Sequence, residues 1–151
     1  MGLFDAIDIA GSGLSAERLR MDVTSENLAN AQTTRGADGQ PYRRKEVVLQ
    51  EAAGGARATF ASALEGAMGR TGAAPSRGVQ VAAIVQDSAP NRRVYDPGHP
   101  DAGQDGYVEL PNVNTVTEMV ELISSSRAYE ANATAMQTAK SMFTRTLDLL
   151  R

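Results

Sequence analysis

Cysteine and tryptophan are missing from this chain altogether, and one histidine, three phenylalanines and four tyrosines are spread over its 151 residues. Without cysteine there is no disulfide framework, no thiolate metal site and no thiol nucleophile. Large aromatic rings normally supply much of the area a compact core buries, so one big self-sufficient core is not expected. The hydrophobic fraction of 42% lies a little under the roughly 45–50% of globular chains. A formal charge of −3 lacks the basic excess that nucleic acid or an anionic membrane surface attracts. No apolar run approaches the roughly 18 residues of a membrane span. Met1 to Leu14 carries Asp5 and Asp8 ahead of any basic residue. It has no apolar h-region, so a cleavable secretory signal is not expected.

What is present divides into three zones. In the first, from Gly2 to Ala31, the residues Phe4, Ile7, Gly11, Leu14, Met21 and Leu28 fall on one stripe of 3-4 spacing, which predicts an amphipathic helix. Gly11 and Gly13 lie inside it, each costing about 1 kcal/mol against alanine. They mark either a kink or a place where another helix comes close. In the last zone, Thr115 to Glu118 has capping-box form, with Thr115 at the N-cap and Glu118 three residues on. From there Met119, Leu122, Ser126, Tyr129, Ala133, Met136, Lys140, Phe143, Leu147 and Leu150 keep 3-4 spacing without a glycine or proline. A second stripe of Val116, Val120, Ile123, Ala131, Ala135 and Met142 adjoins it. Such a helix is ~54 Å long, whereas a compact chain of this size is ~40 Å across. Its stripes need more helix than this chain supplies.

The middle, rich in Gly, Pro and Asp, holds short apolar runs that predict strands at Glu46–Leu49, Val79–Val81, Ile84–Val85, Val94–Tyr95 and Tyr107–Leu110. The Ala/Gly-rich segment at about 50–77 reads as a loop. The expected fold is therefore α+β and mainly α. Residues 1–34 and 114–151 form long helices pairing as an antiparallel, coiled-coil-like unit, and residues 35–113 form a small β-rich insert between them. The terminal segments, short of a partner within the chain, are expected to fray in the free monomer and to become fully helical on packing.

Chemistry is thinly represented. Asp96, His99, Asp101 and Asp105 lie near one another in sequence, but two prolines and a glycine there make a turn cluster the simpler account. A single histidine without a second soft ligand is a weak zinc signal. Gly11-Ser12-Gly13 follows no strand and does not continue as a phosphate loop. No catalytic, cofactor-binding or metal-binding residue is expected, and no nucleic-acid or small-molecule partner.

Ser25-Glu26-Asn27-Leu28-Ala29-Asn30-Ala31 with Thr33 and Thr34 resembles the N-terminal motif of the flagellar axial family of rod, hook and hook-associated proteins. Leu110-Pro111-Asn112-Val113-Asn114, Glu118-Met119 and Arg127-Ala128-Tyr129-Glu130-Ala131-Asn132 resemble the C-terminal motif of that family. Gly39 to Lys45, Val94 to Asp101 and Gly106-Tyr107-Val108 are similar to its short proximal-rod members. Glu26 stands where that family pattern has a small polar residue. The resemblance implies a structural, non-enzymatic subunit, exported by the flagellar type III apparatus without a cleavable signal. It would assemble in the periplasmic part of the basal body with copies of itself, other proximal- and distal-rod proteins and the ring and export base. Helical repetition would build a hollow shaft that transmits torque and encloses the export channel.

Phe4, Ile7, Gly11, Leu14, Met21, Asn27, Leu28 and Asn30 are then the packing positions of the first helix. Those of the last are Met119, Leu122, Tyr129, Asn132, Met136, Phe143, Leu147 and Leu150. Arg43, Arg44, Asp96, His99 and Asp101 are candidate loop contacts between subunits. The long helix alone would permit a soluble coiled-coil adaptor or export chaperone, which leaves the turn-rich middle unexplained, and an enzyme built on the His99 loop is a third class.

Overall fold

The computed structural model describes residues 3–36, 38–52 and 78–149. In chain order these form α1 (Leu3–Ala29), β1 (Lys45–Glu51), β2 (Val79–Gln86), β3 (Arg92–Tyr95), β4 (Tyr107–Leu110) and α2 (Thr115–Leu149). Leu150 and most of the expected loop, from residue 53, lie outside the described residues, as does the side chain of Phe4. The start of that loop is corrected. Gln50 and Glu51 belong to β1, paired with Gln80 and Val79.

The two helices pack along each other. A β-carbon at Gly11 would touch Met136, one at Gly13 would meet Asn132, and Asn27 bonds Glu118. As α1 advances α2 retreats, so the pair is antiparallel. At 1.5 Å per residue α1 spans about 40 Å and α2 about 52 Å, and the C-terminal turns of α2 run past the start of α1. The glycines mark close approach, since α1 runs unbroken through them. At Gly13 a β-carbon would sit 2.9 Å from Asn132 Nδ2.

The start of α2 differs from the expected cap. Asn114, one residue earlier, accepts bonds from the Val116 and Thr117 amides through Oδ1, at 3.0 and 3.4 Å. Asparagine is a stronger N-cap than threonine. The change places Glu118 one position deeper in the helix, and its carboxylate turns inward.

Between the helices lie two separate antiparallel ribbons, β1 with β2 and β3 with β4. The runs expected as two strands at Val79–Val81 and Ile84–Val85 are one strand. Val48 pairs Ala83 while Leu49 pairs Val81, so Ala82 is a bulge residue that lets the strand continue. A two-stranded ribbon is marginal by itself, and this one leans on α1. Ser12 Oγ donates to Ile9 O at 2.7 Å and accepts from the Val79 amide at 3.1 Å, anchoring β2. Just before it Gly78, at φ 104°, lies hard against Ser12.

Candidate functional site: the helix faces and the polar cluster between them

The apolar stripes and the seam between the helices are different faces. Buried on α1 are Ala10, Ala16, Val23, Thr24 and Asn27, and on α2 Glu118, Ser125 and Ala139. Small and polar residues thus fill the seam. The stripe expected on α1 lies beside it, with Ile7, Gly11, Leu14, Met21 and Leu28 all partly buried. On α2, Leu122, Asn132 and Met136 are partly buried. Met119 is 50% exposed, Tyr129 36%, Phe143 37% and Leu147 50%. Val116, Val120, Ile123 and Met142 on the adjoining stripe exceed half exposure. Large apolar side chains thus line the outside of the pair.

At the end where α1 finishes and α2 begins, a polar cluster closes the seam. Asn27, 1% exposed, uses every hydrogen-bonding position it has. Its Nδ2 donates to Lys45 O at 2.8 Å and to Glu118 Oε2 at 3.1 Å. Its Oδ1 accepts from Tyr42 Oη at 2.8 Å and from the Lys45 amide at 2.9 Å. Glu118, equally buried, receives Arg44 Nε on Oε1 at 2.6 Å. Arg44 extends to Glu121 at 3.3 Å and Glu46 at 3.8 Å. The bond to Glu118 holds the Arg44 pKa above its ordinary value against the opposing effect of burial. Burial, reinforced by the charges of Glu26 and Glu118, pushes the Tyr42 phenol up to about 12. Glu26 pairs with Lys45 Nζ, which occupies the residue that departs from the motif.

The cluster joins α1, the start of the insert and α2. Asn27, Tyr42, Arg44 and Glu118 come from the three motifs quoted above. Asn30, next in the N-terminal motif, bonds back to Glu26 O at 2.9 Å and receives Thr33 Oγ1 at 3.1 Å, closing the helix end. Of the candidate loop contacts, Arg44 is thus satisfied within the chain and Arg43 is exposed. Asp101 receives Thr34 Oγ1 at 2.8 Å and lies 3.6 Å from Arg35. His99 Nδ1 accepts the Asp101 amide at 3.1 Å, and Asp96 accepts the Gly98 amide at 3.2 Å. These bonds organise a turn. Among the described residues no group of three His, Asp or Glu is placed to hold a metal ion. No described helix is long and apolar enough to cross a membrane.

Sequence reasoning missed Tyr42 and the inward role of Glu118. The signal was there: Glu118, Ser125, Asn132 and Ala139 recur every seventh residue, the interval of a helix seam. A search for apolar periodicity passes over such a set.

The comparisons fall on the same segments. A family described as Flagella basal body rod protein matches residues 7–37, and one described as Flagellar basal body rod FlgEFG protein C-terminal matches residues 104–149. Flagellar basal-body rod protein FlgC of Borreliella burgdorferi is 45% identical over 158 residues, covering 100% of this chain and 99% of that protein. That of Bacillus subtilis is 44% identical, covering 99% of each chain. That of Salmonella typhimurium is 44% identical, covering 99% of this chain and 98% of its own. The chain belongs to the FlgC family of flagellar basal-body rod proteins. In this FlgC-family chain the two matched regions hold most of α1 and all of α2. The polar cluster ties them together: Asn27 lies in one, Glu118 in the other, and Tyr42 and Arg44 lie just beyond the first.

Proposed function

We propose that this protein is a structural, non-catalytic subunit of the flagellar basal-body rod that packs against its neighbours through the outer faces of α1 and α2. The family gives the rod, and the observation that carries the packing is the inside-out helix pair. Burying a large apolar side chain contributes about 1.5–3 kcal/mol. The eight large apolar residues of α2 that stand exposed therefore hold a gross gain on the order of 6–12 kcal/mol per subunit, since each is only partly exposed. A gain that size rivals the whole stability of a small domain, and an antiparallel pair with one small-residue seam has no side left to collect it.

The partners are copies of this chain, other proximal- and distal-rod proteins, and the ring and export base beneath them. Repetition of such contacts with rotation and rise gives a helical tube, suited to carrying torque and to enclosing an export channel. Assembly takes place in the periplasmic part of the basal body after passage through the flagellar type III apparatus. A soluble adaptor or chaperone would share the long helix, but it gives no reason for full-length similarity to rod proteins.

The test is quantitative mass spectrometry of purified hook–basal bodies from the source bacterium. Enrichment at a fixed ratio of several copies per basal body is expected. Absence from intact basal bodies, with the chain recovered from the cytosol, overturns the rod reading.

A further inference from the structure

We infer that the Asn27–Arg44–Glu118 cluster is a registry pin: among the axial settings that the α1–α2 seam permits, it selects the one in which Gly13 faces Asn132. The seam discriminates poorly by itself. Its buried members besides the cluster, Ala10, Ala16, Val23 and Thr24 on α1 and Ser125 and Ala139 on α2, are all short side chains. Sliding α2 by two turns, seven residues or about 10.5 Å, brings Ser125, Asn132, Ala139 and Thr146 to where Glu118, Ser125, Asn132 and Ala139 stood, so small residues meet small residues again. Interlocking of large knobs into holes is what ordinarily fixes helix register, and on α2 most of the large side chains point outward.

The cluster supplies the discrimination that the seam lacks. The same displacement carries Glu118 beyond reach of Arg44 Nε and Asn27 Nδ2, now 2.6 and 3.1 Å away. Moved in the opposite sense, into the place that Ser125 holds, 1% exposed, Glu118 is a buried carboxylate without these partners, the arrangement folding tolerates least. Asn27 cannot follow, because its other three bonds tie it to Lys45 and Tyr42. Fixing register is the best-attested use of a buried polar side chain between helices. Setting the register also sets how the outward stripe of α2 lines up with that of α1, and so the surface that a neighbour meets.

The chain's lack of cysteine allows a direct test by disulfide formation in the purified full-length protein. One reporter pair, Gly13→Cys with Asn132→Cys, reads the present register, and its position lies about 21 Å along α1 from Asn27. Gly13→Cys with Ser125→Cys, and Gly13→Cys with Ala139→Cys, read displacement by two turns either way. With the pin intact only the first pair closes efficiently. Replacing the pin by apolar residues, Asn27→Leu with Arg44→Met and Glu118→Leu, is expected to raise the displaced pairs roughly tenfold or more relative to the first. A triple variant that stays helical by circular dichroism and still closes only the first pair overturns the inference. So does efficient closure of the displaced pairs with the pin intact. Should the triple variant lose its helices, Glu118→Gln and Asn27→Asp are read singly in the same way, and unchanged ratios in both overturn it. Register is measured within one chain, so failure here leaves the rod reading untouched.

Discussion

Asn27 shows how much one side chain can organise when both faces of its amide are used. Asn27→Asp removes both side-chain donors and puts a second carboxylate beside Glu118. Urea unfolding is expected to show a loss of about 3–5 kcal/mol near neutral pH, the range for disrupting a buried pair. A loss under ~1 kcal/mol would mean that the cluster is relaxed or wet. Tyr42 gives a pH signature. In the unfolded chain a phenol ionises near 10, and in the folded protein burial and two nearby carboxylates push it to about 12. Between those values the unfolded chain has released a proton that the folded chain keeps. This contribution to stability is therefore whole below pH ~10 and falls away as pH rises through 12. In denaturant midpoints measured across that window, Tyr42→Phe should flatten the decline. Below pH ~10 the variant should also lose about 1 kcal/mol, because its bond to Asn27 is gone, and this deficit should shrink as pH rises through 12.

At the scale of elements, the helices depend on local devices that a large core would make dispensable. Asn114→Ala removes the acceptor for the Val116 and Thr117 amides and should cost about 1 kcal/mol. Gly13→Val would drive a branched side chain into Asn132. A loss of about 1–3 kcal/mol is expected, with disulfide or distance probes showing the helices apart. The expectation that the terminal segments fray now has a direction. The polar cluster holds the pair where α1 ends and α2 begins, and the far end has the exposed Met142, Phe143 and Leu147. Amide exchange in dilute monomer should therefore be slowest around Val23 to Asn27 and Glu118 to Ser125, and fastest over residues 3–9 and 143–149. Uniform protection along both helices would contradict this picture.

For the whole molecule, the proposed packing through the outer faces has folding and assembly use different residues. Val120, 61% exposed, and Leu147, 50% exposed, lie outside the seam, so Val120→Asp and Leu147→Asp should leave the monomer's thermal midpoint nearly unchanged. In the rod the same carboxylates would be buried at every repeated contact, each costing several kcal/mol. Motility and recovery of the chain in basal bodies are expected to be lost. Variants that fold normally and still support motility would remove the outer faces from the assembly surface.

The sequence by itself determined the two helices, their antiparallel pairing around a β-rich insert, and the family, because periodicity, turn residues and multi-residue motifs are local signals. Its motif also singled out Asn27, but as a packing position between subunits, whereas the structure buries it within the chain. Only the tertiary structure decided which face of each helix turns inward. Apolar period marks a face that must be covered but does not say by what, and here the covering within the chain falls to Ala, Gly, Ser and polar residues. Likewise the cap shifted from Thr115 to Asn114, two short apolar runs became one bulged strand, and Arg44 turned from a loop contact into the partner of Glu118. Each of these outcomes rests on a partner distant in sequence or on competition between adjacent residues, and neither is written in spacing alone.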